Sequence, residues 1–560
     1  MKTSFKVKFN YCFLGSMALL LILQLLTLFY FGNRKAGFHE DEMYTYYSSN
    51  KTAGLFINDR QWMERDQLRN DFVVLEKEGF RYDVVKQMQS WDVHPPLYYY
   101  IFHTACSLFP GSFSKWTGIG VNMIAYVFCY LLLAYAAYTA AVQEGRSNEQ
   151  IKAAGGHILS DAAKRKGEML AFLTCLSWGF SSAVVSGAMF IRMYQWLTLF
   201  VLLCITLHLR AVKKQDYRIR TFLLPLAVTV FLGFLTQYYY IIFHFFLGLA
   251  FCLFLLQNKK IKEMFAYSAV CAAGLLGAIC YYPASLSHIF RGYRGTEAVS
   301  EFGDVSNTWG RLRFFYGLFD DYVMNGALSW WLLAICLLAV TAGYLQKKGR
   351  ARMSFWNPSI GLILFSCIGY FFTISKTALL LGETSNRYQL PIYGLLLFLI
   401  LYSTWILPSG LMAPIVPKIG EKKIRFALMG TLALLFALTN LSAVKNNKVF
   451  FLYEEEKEVM EFVRSHKDDT VVILYNEASP DNIWRLSDEL MQYEKTYLAS
   501  QADVTLITDP TITSADTLLV YAADHENQEE SLQNILKSNK NLGSYQIIAQ
   551  KGLWTLYLFA

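Results

Sequence analysis

Eleven stretches of this chain are each apolar over a length that crosses the roughly 30 Å hydrocarbon core of a bilayer, which takes about 20 helical residues. They lie near 11–31, 116–142, 169–189, 194–211, 221–237, 238–257, 264–283, 328–345, 358–378, 388–408 and 426–444. A length of 560 residues would otherwise suggest about four soluble domains. With 54% hydrophobic and only 17% charged residues, the chain is too apolar for that and far too apolar for disorder. The expected fold is a polytopic α-helical membrane protein of about 11 spans plus interfacial helices.

The net charge of +8 invites a nucleic-acid partner, and its distribution removes one. From Lys445 onward the chain carries 10 Lys and Arg against 19 Asp and Glu, net −9, so the remainder, with 41 against 24, carries +17. The basic excess belongs to the apolar part, where cytoplasmic loops of membrane proteins collect Lys and Arg. All ten cysteines lie in or beside apolar runs without a CxxC pair, which fits buried, inert thiols and supports neither a disulfide framework nor a zinc site.

Lys2, Lys6 and Lys8 precede the first run, which is longer than a signal peptide's apolar region and lacks a small-residue cleavage site. It reads as a retained anchor with a cytoplasmic N-terminus. The segment 95–110, opened by Pro95 and Pro96 and interrupted by His103, is short for a span and suits an interfacial helix. With it left out of the count, the basic connections Lys164–Lys166, Lys213–Arg220, Lys259–Lys262, Lys347–Arg352 and Lys418–Arg425 all fall inside. That topology puts the loops 32–94 and 284–327 outside, with turns near Arg192, Gln237 and Arg387. A transmembrane domain over 1–445 is then followed by an extracytoplasmic α/β domain over 446–560. In the latter, strands are expected near 471–476, 517–523, 545–550 and 553–559, and helices near 453–466, 481–494 and 526–538, the middle one capped by Ser479 before Pro480.

Chemistry-bearing residues collect on the outer face. His39-Glu40-Asp41-Glu42 follows the first run and precedes a tyrosine-rich stretch. Three adjacent acids are either a solvated turn or a group facing a cation, and the aromatic flank at headgroup depth favours the second. A carboxylate there can take a proton from a hydroxyl arriving from water. Trp91-Asp92-Val93-His94-Pro95-Pro96 places His94 at the mouth of the short helix, as a phosphate or hydroxyl partner or as a cap. Arg192-Met193-Tyr194, Gln237 through His244, Tyr281 through His288 and Arg291, and Asn386-Arg387-Tyr388-Gln389-Leu390-Pro391 add further polar groups at helix ends. An outer Arg is either a snorkelling anchor or, opposite a carboxylate loop, a partner for an anionic leaving group. His244 reads equally as a packed histidine, and in the tail Trp484 and Tyr497 read as core or as sugar-stacking aromatics.

The acidic pair after the first span, the HPPLYY run, the RMY turn and the RYxLP segment resemble the GT-C superfamily of integral membrane glycosyltransferases. The resemblance is greatest to the bacterial members of the branch with protein O-mannosyltransferases and lipid A aminoarabinose transferases, and it covers 1–445 but not the tail. It implies transfer of a sugar from a polyprenyl-phosphate donor to a glycan, lipid or protein acceptor at the outer face of the cell membrane, usually with inversion. It also implies Asp41 as general base with Glu42 as its companion, and a site without metal or other cofactor. Glu40, His94, Arg192, Tyr194, His244, Arg291, Arg387 and Tyr388 are the residues expected around the substrates. A lipid or sugar transporter or flippase is the alternative, and a scaffold presenting the tail is a third. Transporters place ionisable groups near the midplane, whereas the charges here stand at helix ends.

Overall fold

The computed structural model describes residues 10–51, 60–142, 161–348, 357–379, 381–412, 430–431, 439–440, 448–478, 480–501, 503, 505–525 and 527–560. Among these, nine helices are long and apolar enough to cross a membrane. The first is α1 (Tyr11–Arg34), started by the Asn10 side chain, which accepts the Cys12 N–H at 3.1 Å. All ten cysteines are free. The run at 426–444 lies almost wholly outside the described residues, as does Ser479.

The run expected as one span at 169–189 is broken. Helices Asp161–Gly179 and Ser182–Met189 meet at 60°. The break has a cause in α1: the buried Gln24 amide donates to the Cys175 carbonyl at 2.9 Å and accepts from the Tyr126 hydroxyl at 2.9 Å. That hydroxyl also reaches the Gly179 carbonyl at 3.3 Å. The Gly179 carbonyl, freed at the bend, thus finds a side-chain partner inside the bundle.

Between α1 and the long helix α6 (Lys115–Val142) lie α2 (Glu40–Asn50), strand β1 (Gln61–Glu64), α3 (Arg65–Asn70), α4 (Tyr82–Trp91) and α5 (Leu97–Ser107). At 11 residues, α5 extends about 16 Å and is too short to cross. Phe38, Tyr46, Phe72, Phe102 and Phe113 pack α2 onto α5 and the loop before α6, with ring centroids 4.7–6.3 Å apart.

The tail forms a six-stranded sheet ordered β1-β3-β2-β4-β6-β5. Its strands are β2 (Thr470–Tyr475), β3 (Lys495–Ser500), β4 (Leu518–Ala523), β5 (Tyr545–Lys551) and β6 (Trp554–Phe559). The central β3-β2-β4 strands are parallel and β4 is buried at every position, which explains its continuous apolar sequence. Three features depart from the sequence reading, the first being strand β3, which none of the four expected strands covers. Where one helix was expected over 481–494, a 3₁₀ segment Pro480–Leu486 and a single turn Ser487–Leu490 lead directly into β3. The outer edge of the sheet is β1, which comes from the loop after α1 and pairs antiparallel with β3. Trp484 and Tyr497 are buried: Trp484 packs on Tyr44, Tyr47 and Phe72, and Tyr497 on Trp62.

Candidate active site

The acidic stretch starts a helix because His39 caps it. His39 is extended, its Nδ1 accepts the Asp41 N–H at 3.0 Å, and its own N–H donates to Glu42 Oε2 at 2.7 Å. Glu40, Asp41 and Glu42 then fill the first turn of α2, where the helix dipole favours negative charge.

The three acids have different surroundings. The Glu42 side chain is fully buried; both its oxygens accept from Lys35 Nζ, at 2.8 and 3.1 Å, and Oε1 also accepts the Ile191 N–H at 2.8 Å. Lys35 donates to the Phe451 carbonyl as well, at 2.6 Å. With Lys35, Glu42 ties together the end of α1, the start of α2, the turn before Arg192 and the start of the tail. Glu40 stands half-buried at the first position of α2.

Asp41 keeps one quarter of its side chain exposed and faces two guanidinium groups, Arg387 Nη2 at 3.8 Å and Arg192 Nη2 at 4.0 Å. Burial alone would raise its pKa. Arg192 and then Arg387 outweigh it and hold the carboxyl well below the usual carboxylate range. Burial pushes His39 down to about 4, against the pull of Asp41, so the imidazole that caps α2 is neutral.

Arg192 sits on the turn between Ser182–Met189 and Tyr194–Lys214. A side chain at Gly118 of α6 would put its Cβ 2.2 Å from Ile191 Cγ2, so glycine lets this turn seat closely. Arg192 Nη1 donates to the Asp41 carbonyl (3.1 Å), Thr45 Oγ1 (3.3 Å) and Tyr99 Oη (3.1 Å), and Nη2 donates to His94 Nε2 (3.1 Å). Since guanidinium only donates, His94 is neutral with its proton on Nδ1, which donates to Asp92 Oδ2 at 2.9 Å. Asp92 is held at about 2, the rise from burial being outweighed by His94 and Arg192.

Arg387 comes from the 3₁₀ turn Glu383–Tyr388 and lies over the rings of Phe190, Tyr194 and Tyr388, 5.1–5.9 Å from their centroids. Its Nη2 donates to Tyr388 Oη at 3.3 Å. Its Nε and Nη1, like Nε of Arg192, are buried with no hydrogen-bond partner. Buried orphan donors are costly, and an anion beside Asp41 would satisfy them.

Asp41, His94, Arg192, Tyr194, Arg387 and Tyr388 are therefore brought together from four segments, and two expected members are not. His244 lies inside the Tyr239–Gln257 helix, more than one turn from its start, with Nδ1 3.4 Å from Cys204 Sγ and its ring stacked on Tyr240. Arg291 closes the short helix Ala284–Phe290 with an exposed side chain, and it is Arg294, three positions on, whose charge reaches His94. Lys35, Asp92, Tyr99 and Phe190 were missed as members. Lys35 carried a signal: a cation one residue past the first span, seven before Glu42. Among the described residues no three His, Cys, Asp or Glu side chains gather as a metal ion would require.

A bundle of apolar helices, with an acid–arginine cluster at their ends and an α/β unit against α2, defines a polytopic helical membrane protein. Among solved structures it is similar to ArnT from Cupriavidus metallidurans bound to undecaprenyl phosphate, with a TM-score of 0.53, 10% identity, and 97% of this chain and 98% of that chain covered. The apo state of the same protein gives a TM-score of 0.51 at 10% identity, with the same coverage. At this identity the likeness is one of fold. No family model matches the chain, and no curated protein does.

Proposed function

We propose that the protein is a glycosyltransferase that moves a sugar from a polyprenyl-phosphate donor to a hydroxyl acceptor at the outer face of the membrane, with inversion at the anomeric carbon. The observation that carries the reading is Asp41 lying within 4.0 Å of both Arg192 and Arg387, with Arg192 Nε and Arg387 Nε and Nη1 buried without partners. The likeness in fold to a protein solved with undecaprenyl phosphate supports the donor class.

In this reading the donor phosphate lies against the two guanidinium groups at headgroup depth while its tail remains among the helices. The acceptor hydroxyl gives its proton to Asp41 as its oxygen bonds to the anomeric carbon. The bond from that carbon to the phosphate oxygen breaks, and polyprenyl phosphate leaves with one more negative charge, which Arg192 and Arg387 take up. Asp41 is a weak base while it alone faces both cations. A phosphate that shares them raises its basicity, so base strength is coupled to donor binding. Charge from the two guanidinium groups makes a divalent ion unnecessary, and transfer should persist in EDTA.

The reading places the N-terminus in the cytoplasm and the tail outside. It is preferred to transport because the buried charges gather at helix ends, while His208 and His244 deeper in the bundle contact Tyr267 and Cys204. Sugar transfer in proteoliposomes is the test. Asp41→Asn should lower turnover by about 10²–10⁴-fold; undiminished turnover in both Asp41→Asn and Glu42→Gln rules the site out.

A further inference from the structure

A second cluster of cations stands apart from Asp41, between the loop after α1 and the tail. Arg65 and Arg69 of α3, with Arg464 and Lys467 at the end of helix Glu456–Ser465 and just beyond it, line a cavity of about 350 Å³ that Phe113 and Met491 help close. No acid lines it. Asp66, Asp468 and Asp469, adjacent in sequence, do not contribute. Among the described residues none of the four cations forms an ion pair, although the tail carries 19 acids to 10 bases. Arg65 Nε is buried without a hydrogen-bond partner, and Arg69 donates to the Gly111 carbonyl, which keeps α3 against the wall that ends in Phe113. Phe113, which lines the cavity, also packs on Tyr46 of α2, the helix that carries Asp41, at 4.7 Å.

Four unpaired cations around a space at the small end of ligand pockets call for a compact, multiply charged anion. Exposed Lys or Arg alone would be a solvated face. Here two chain segments far apart in sequence converge, and one donor is already stripped of water. We propose that this cavity is a phosphate-ester subsite and that the ester is carried by the acceptor. The second half rests on the transferase reading; anion binding by the cavity does not.

The test uses full-length protein in zwitterionic nanodiscs, its Arg192 and Arg387 site filled with undecaprenyl phosphate, titrated calorimetrically with glycerol 3-phosphate. Wild type should bind saturably, and Arg464→Gln/Lys467→Gln should bind at least 10-fold more weakly with undecaprenyl phosphate affinity unchanged. Both substituted side chains are exposed, and Arg69→Gln gives an independent variant on the opposite wall that should weaken binding in the same way. Equal binding by wild type and both variants, or none by wild type, overturns the subsite. Repetition in discs containing phosphatidylglycerol separates the sources. Undiminished glycerol 3-phosphate binding there supports a ligand carried by the acceptor, and loss of it assigns the cavity to a lipid headgroup and overturns that half. The readout is binding, so it stands whatever Asp41→Asn does to turnover.

Discussion

Lys35 and Glu42 form a buried ion pair that fixes the position of the residues around Asp41. Both side chains are fully buried, and removing one charge strands the other in a low-dielectric interior. Lys35→Met should cost about 3–5 kcal/mol of stability, read as a fall in unfolding temperature in detergent; unchanged stability would mean the pair is solvated. His39 supplies a pH prediction. Its pKa falls from 6.5 to about 4 on folding, so between those values the unfolded chain binds a proton that the folded one refuses. Stability is therefore full above pH 6.5 and is lost as pH falls through 4. His39→Asn keeps a capping oxygen and should flatten thermal stability between pH 6.5 and 4.5. A slope as steep as wild type would exclude His39 as its source. At this scale the sequence was partly legible. Asp41 and the two arginines stood out by type and spacing, but the different surroundings of Asp41 and Glu42 depend on Lys35 and the Ile191 N–H, which no local pattern ties to Glu42.

Among the elements, the long apolar helices were legible because spanning hydrocarbon leaves little choice of structure. The 60° break at 180–181 was not, because its cause is the Gln24 amide of a helix about 150 residues earlier. The strand β1 was hidden for a similar reason: Gln61–Glu64 is four residues long and is a strand only because β3 lies beside it. His244 was misplaced because an apolar helix gives no sequence sign of which face meets the site. Element placement makes its own prediction at Gly118. Gly118→Val would displace Ile191 and with it Arg192, and should lower transfer by 10-fold or more in a protein that still folds. Transfer at the wild-type rate would show that the close approach of α6 does not position Arg192.

Across the whole molecule, the boundary read at 445 divides the chain by composition but not by packing. The sheet of the tail takes its edge strand from the loop after α1, Phe451 accepts from Lys35, and Trp484 seats on α2. The tail is thereby attached to the helix that bears Asp41. Cysteines at Met63 and Thr496, opposite each other in the β1–β3 ladder, should form a disulfide in an oxidising outer compartment, whereas a persistently reduced pair would contradict either the pairing or the orientation. The central claim is that Asp41, Arg192 and Arg387 surround a donor phosphate. It is tested most directly by a structure of the full-length protein with undecaprenyl phosphate. The phosphate should lie within ion-pair distance of both guanidinium groups and next to Asp41; a phosphate held elsewhere, with Arg192 and Arg387 still facing Asp41 alone, would contradict it.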